Sequence, residues 1–217
     1  LTPREMARVL KIVEQANRKW STPALDKVAR RKNPFHVLVG CILSLRTRDA
    51  VTLPASRRLL RRAGTPAKLV ALTEEEIQKA VYPVAFYRNK ARNLRELCRE
   101  LLDRHAGRVP DSIEELVQLK GVGRKTANLT VILGYGKPGI CVDVHVHRIC
   151  NRWGFVNTRS PDETETALRD KLPRRHWNRF NGLLVTFGQN LCKPVSPWCS
   201  RCPVEAHCER NGVKRAR

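Results

Sequence analysis

Apolar residues recur along this chain at three- and four-residue intervals, and nothing alternates apolar and polar for long enough to make a strand. The pattern predicts an all-α protein. Met6, Val9, Leu10 and Val13 share a helical face behind Thr2-Pro3-Arg4-Glu5, a capped start, and Trp20 and Pro23 end that element. Asn33-Pro34 opens a run from Phe35 to Leu45, FHVLVGCILSL, that lacks a polar face and so predicts a helix at the centre of a domain. Asp49 is placed to cap the next helix, which Pro54 should kink or delay. Thr65-Pro66 and Thr73-Glu74-Glu75-Glu76 start two short helices, and a long amphipathic one runs from Arg88 to about His105. Between them, residues 81–87 form a break rich in apolar side chains, which in such breaks usually pack inward.

The rest of the chain is organised around Leu119 to Asn128, LKGVGRKTAN. A short helix capped by Asp111 or Ser112 enters it, and a buried helix from Lys125 to Leu133 leaves it until Gly134 and Gly136 stop it. Gly121 and Gly123 bracket the small apolar Val122, giving a tight turn whose amides lack side-chain cover beside a helix N-terminus. Such a turn suits a phosphate. An ordinary helical hairpin with glycine caps would look the same, but the basic flank of Lys120, Arg124 and Lys125 favours a nucleic-acid backbone. Beyond a Lys137-Pro138-Gly139 linker, Asp143 is placed as the N-cap of a helix opening Val144-His145-Val146-His147-Arg148. Ser160-Pro161 starts another helix, and a last one spans Trp177 to Asn190.

Charge sharpens the choice of partner. Forty-two Lys and Arg against twenty Asp and Glu leave a formal +22, spread along all 217 residues, and a polyanion is the natural counterpart. The length allows one domain or two small ones, with only the basic tail after Cys208 expected to be disordered. No apolar run approaches the ~20 residues of a spanning helix, so a membrane is not expected as partner and an intracellular location is. The numbering begins at Leu1, without an initiator Met.

Eight cysteines fall into two groups. Cys41, Cys98, Cys141 and Cys150 stand singly in apolar surroundings and read as core. Cys192, Cys199, Cys202 and Cys208 lie on one short loop broken by Pro194, Pro197 and Pro203, an arrangement suited to a metal. A disulfide framework fits small secreted chains better, and on ligand type alone structural zinc competes with iron and sulfur.

With LKGVGRKTAN, VDVHVHR around Asp143 and the cysteine loop in that order, the chain resembles the endonuclease III family, iron–sulfur DNA glycosylases with a helix-hairpin-helix motif. The resemblance covers nearly the whole chain. It implies a six-helix barrel over residues 26–137, with the hairpin motif at 111–134, and a cluster domain from residues 1–25 and 138–217, with its loop at 192–208. It implies a [4Fe–4S] cluster rather than zinc on the four loop cysteines. Lys125 then matches the nucleophile, Asp143 the catalytic carboxylate, and Gly121, Val122 and Gly123 the phosphate-binding turn, with Arg124 and Lys193 as further DNA contacts.

Adenine-excising relatives have no lysine at the position of Lys125. The expectation is therefore a monomeric bifunctional glycosylase and abasic-site lyase of the cytoplasm or nucleoid, acting on double-stranded DNA that carries a damaged pyrimidine or an abasic site. The alternatives are an iron–sulfur adenine or mismatch glycosylase and a non-catalytic DNA-binding redox protein, the latter having no use for both Lys125 and Asp143. Three residues depart from the family pattern: Lys120 replaces a common Pro, Arg46 a Gln that fills the gap left by a flipped base, and Phe86 a Leu wedge. Arg46 and Phe86 are expected to enter the duplex at the lesion.

Overall fold

The computed structural model describes residues 1–29 and 33–217, and among them every regular element is helical. In chain order these are α1 Pro3–Asn17, α2 Ala24–Ala29, α3 Pro34–Ser44, α4 Asp49–Arg62, α5 Pro66–Val70, α6 Glu74–Val81 and α7 Tyr87–His105. They continue as α8 Ile113–Leu116, α9 Arg124–Leu129, α10 Val144–Arg152, α11 Pro161–Lys171 and α12 Trp177–Asn190. The chain divides into two compact units, residues 24–137 and residues 1–23 with 138–217.

In the first unit α3 is the central element. Leu38, Val39 and Leu43 are fully buried and pack with Leu59 of α4, Leu94 and Leu97 of α7 and Ala127 of α9. Each fully buried side chain of this size contributes roughly 1.5–3 kcal/mol, which is why a helix without a polar face settles here. Thr65 and Thr73 cap α5 and α6 by accepting the Lys68 and Glu76 amides, as their spacing predicts.

Several local expectations are altered by packing. Arg48, not Asp49, precedes α4; Asp49 sits in its first turn and accepts the Ala24 amide at 3.1 Å, tying α2 to α4. Pro54 lies inside α4 without ending it, since near the helix start it removes only the bond to the Ala50 carbonyl. The helix entering the hairpin is a single turn, capped by Ser112. The exit helix changes after Leu129 into a π-helical turn, Thr130–Gly134, laid on α3. A Cβ on Gly134 would stand 2.8 Å from the Pro34 Cα, so the glycine permits this close approach as well as marking the end of the turn. In the break before α7 Val84 is buried, whereas Tyr82 and Phe86 are each 60% exposed. Only part of that break packs inward.

In the second unit Met6 and Leu10 of α1, Val146 and Ile149 of α10, and Phe180 and Phe187 of α12 form a separate core with Trp153. The basic tail is held rather than loose. The Arg217 amide donates to the Pro197 carbonyl at 2.8 Å, the Ser200 amide to the Arg217 carbonyl at 2.9 Å, and the Arg217 guanidinium lies 4.9 Å from the Trp198 ring. Cys41, Cys98, Cys141 and Cys150 are buried. Among the described residues no helix is long and apolar enough to cross a membrane.

Candidate active site

The hairpin turn is built from below by Leu119 and Val122, both buried in the first core. Gly121 adopts φ +76°, which a side chain would strain. Gly123 is different: it has ordinary extended geometry at the N-cap of α9, and a Cβ there would meet nothing within 4 Å. Its own chain gives it no steric reason to be glycine. Arg124 and Lys125 follow in the first turn of α9, both exposed.

The two lysines flanking the turn differ in their surroundings. Lys120 is committed to α7: its amide donates to the Glu100 carboxylate at 3.1 Å and its ammonium pairs with Glu96 at 2.7 Å. Hydrogen bonding from Lys120 holds the Glu96 carboxyl below its usual range. Lys125 instead faces α3 electrostatically, where its charge partly opposes the burial that pushes the Cys41 thiol up to about 12.

The ends of α3 and α7 carry the other candidates of this unit. Arg46 follows α3 and Phe86 precedes α7, with the guanidinium carbon of Arg46 5.8 Å from the Phe86 ring centroid. Lys90, one turn into α7, was not distinguishable in the sequence from its basic neighbours Arg88 and Arg92. In the fold it is 7% exposed and spans the two segments.

In the second unit Asp143 is the N-cap of α10, as its position predicts. One carboxylate oxygen accepts the His145 amide at 2.8 Å and the Val146 amide at 3.0 Å, and the residue is 7% exposed. At the other end of α10 Arg152 donates to the Cys192 sulfur at 3.3 Å, to the Lys193 carbonyl at 2.7 Å and to the Pro194 carbonyl at 2.7 Å. Arg148 donates to the Cys192 carbonyl at 2.9 Å. No motif marks Arg152 in the sequence, and Arg148 is marked only as the last residue of VDVHVHR. Lys193 itself is half-buried.

All four loop cysteines are free thiols lining one recess with Trp153, Phe187 and Trp198. As placed, the sulfurs are not drawn into a ligand set, and among the described residues no three His, Cys, Asp or Glu side chains form one. Their chemistry nonetheless suits a group that binds four thiolates. Burial pushes the Cys202 thiol up to about 11, while backbone amides at Val204 and Arg210 donate towards Cys202 and Cys208. With the Arg152 guanidinium on Cys192, these donors would stabilise sulfur once a metal displaces its proton.

Known proteins share the sequence and the fold of this chain. The HhH-GPD model, which describes a superfamily of base excision DNA repair proteins, matches residues 39–174. Endonuclease III of Thermotoga maritima is 46% identical over 180 residues, 83% of this chain and 84% of that protein. A chloroplastic endonuclease III homolog of Arabidopsis thaliana is 40% identical over 82% of this chain, which spans 48% of that longer protein. Among solved structures, a trapped endonuclease III–DNA covalent intermediate superposes with a TM-score of 0.84 at 34% identity, covering 97% of both chains. With its glycine turn, its lysine on α9 and its capping aspartate, the chain belongs to the HhH-GPD superfamily of base excision DNA repair proteins and, within it, to the endonuclease III DNA glycosylases and abasic-site lyases.

Proposed function

We propose that this enzyme removes oxidised pyrimidines from double-stranded DNA and then cleaves the abasic strand, with Lys125 as nucleophile and Asp143 as the catalytic carboxylate. The observation that carries this is the setting of Lys125: exposed in the first turn of α9, next to a glycine whose open side leaves room for a sugar-phosphate backbone. The amides of Gly121, Val122 and Gly123 and the Arg124 side chain would hold that backbone, with Lys193 as a further contact. The similar solved complexes are of endonuclease III with DNA, one of them covalent, which supports the same partner here.

The damaged nucleotide must first leave the stack, which damage makes easier. The neutral amine of Lys125 attacks C1′ and the C1′–base bond breaks, its electron pair leaving with the base. An ordinary lysine is protonated at pH 7, so a base is required, and Asp143 serves by assisting proton removal and by stabilising positive charge developing at the sugar. Once Nζ loses a proton, its lone pair breaks the C1′–O4′ bond; O4′ takes up a proton as the sugar ring opens, leaving a protonated Schiff base between Nζ and C1′. That imine acidifies C2′, and loss of the C2′ proton expels the 3′ phosphate.

The endonuclease III family carries a [4Fe–4S] cluster. Cys192, Cys199, Cys202 and Cys208 would hold it here, and its contribution would be to pin the loop at 192–208. Purified protein should be yellow-brown with about four irons per chain. Zinc without iron would overturn the cofactor assignment.

The activity is tested on four duplexes, carrying thymine glycol, dihydrouracil, an abasic site, or adenine opposite 8-oxoguanine. Base release with strand cleavage is expected on the first two and cleavage on the third. Release of adenine alone from the fourth would overturn the proposed substrate class.

A further inference from the structure

We propose that Lys90 is a positioning residue for base extrusion: its ammonium bolts the segment carrying Arg46 to the segment carrying Phe86, so that the two side chains enter the duplex as one wedge. The inference rests on the proposed action on damaged DNA and goes further, by naming what holds the penetrating side chains in place.

Lys90 Nζ donates to the Leu43 carbonyl at 2.9 Å, the Leu45 carbonyl at 2.5 Å and Thr47 Oγ1 at 3.2 Å. Thr47 Oγ1 also donates to the Leu45 carbonyl and accepts the Ala85 amide, each at 3.2 Å. A hydroxyl has one proton to give and two lone pairs. Its proton is directed to Leu45 and one lone pair receives Ala85, so towards Lys90 it acts as an acceptor. Lys90 thus donates three bonds, as an ammonium does and a neutral amine cannot. The charge sits where α3 ends and its last carbonyls lack helical partners, a place that favours a cation. Burial pulls the Lys90 pKa down to about 8, which leaves the ammonium the main form at neutral pH.

The result is one bonded unit made from two breaks. Residues 43–47 come from the end of α3, Ala85 from the segment before α7, and Lys90 from the first turn of α7. Arg46 and Phe86 lie at the exposed face of this unit, and both have left-handed backbones, φ 54° and 56°, which residues with side chains adopt only when their surroundings enforce it. An exposed aromatic ring with a guanidinium over it suits a base stack, where the ring replaces a lost stacking partner and the guanidinium meets the orphaned base. A capping lysine would need only the α3 carbonyls. The bond to Thr47, and through it to Ala85, is what joins Arg46 to Phe86.

The test compares single-turnover base release from dihydrouracil opposite guanine with release from the same lesion opposite an abasic gap, where extrusion costs little. Lys90→Met should lose about tenfold on the paired duplex and less than about twofold on the gapped one, as expected for a misplaced wedge rather than damaged chemistry. Affinity for undamaged duplex should be kept, and 2-aminopurine beside the lesion should brighten more slowly. Thr47→Val removes the hydroxyl's bonds to Lys90, Leu45 and Ala85 but leaves Lys90 on the Leu43 and Leu45 carbonyls; it should give the same pattern more weakly, which carries the test if Lys90→Met does not fold. Equal losses on the two duplexes, or no loss in either variant, overturn the role of Lys90. The Arg46→Ala/Phe86→Ala pair separates the two ideas. If that pair releases base normally from the paired duplex, the wedge itself is wrong and the Lys90 proposal falls with it. If the pair is impaired and adding Lys90→Met impairs it further, the wedge stands and Lys90 acts elsewhere.

Discussion

Lys125→Gln is expected to abolish the borohydride-trapped complex with abasic-site DNA while DNA binding survives, and Lys120→Ala is expected to trap normally and bind less tightly. Both lysines border the same glycine turn, so composition does not separate them; their partners do. Lys120 pairs with Glu96 and its amide is held by Glu100, which ties it to α7 just after the helical turn that enters the hairpin. Lys120 is largely exposed in that ion pair, so breaking it should leave the fold intact. Lys125 lies in the first turn of α9, where helical backbone fixes its stem. Glutamine preserves length, polarity and helix propensity but has no nucleophilic nitrogen. Trapping that persists in Lys125→Gln and disappears in Lys120→Ala would reverse the assignment of the two residues.

What could be read in the sequence divides by the range of the forces involved. Caps are local, so Thr2, Thr65, Thr73, Ser112, Asp143 and Ser160 all stand at helix starts and bond the amides that their spacing marks out. Periodicity is nearly as local, which is why α3 and α12 lie within a residue of where their apolar runs place them. The misplacements arise where a distant partner decides. Asp49 looks like a cap but serves the Ala24 amide, and the exit helix yields to a π-helical turn where it meets Pro34. The tail after Cys208 is polar enough to be loose, yet Trp198 and the Pro197 carbonyl hold it.

The same division applies to the site. Gly121, Gly123, Lys125, Asp143 and the four loop cysteines belong to contiguous motifs and stand out without any fold. Lys90, Glu96 and Arg152 do not, because each acts through a partner far along the chain: Lys90 on a segment more than 40 residues earlier, Arg152 on carbonyls more than 40 residues later. In a sequence with forty-two Lys and Arg, a cation with a structural duty carries no local mark. Phe86 shows the converse. It lies in an apolar break whose residues would ordinarily be assigned to the core; only the resemblance set Phe86 apart as a wedge, and in the fold Val84 turns inward while Phe86 stays out.

Asp143→Asn is expected to slow base release by roughly 10²–10⁴-fold with the melting temperature nearly unchanged, because the cap and the catalytic duty proposed for Asp143 can be separated chemically. As N-cap it accepts the His145 and Val146 amides through one oxygen, and an asparagine carbonyl accepts such bonds about as well. Asp143→Ala would lose the cap too, at about 1 kcal/mol, and so confuses stability with rate. In the proposed reaction its carboxylate would supply negative charge for proton removal and for the electron-poor sugar, which asparagine would not. Single-turnover excision beside a thermal melt reads the two duties independently. A variant that melts early yet excises at the parental rate would make Asp143 a cap alone, and stabilisation of the sugar cation would then have to come from another group.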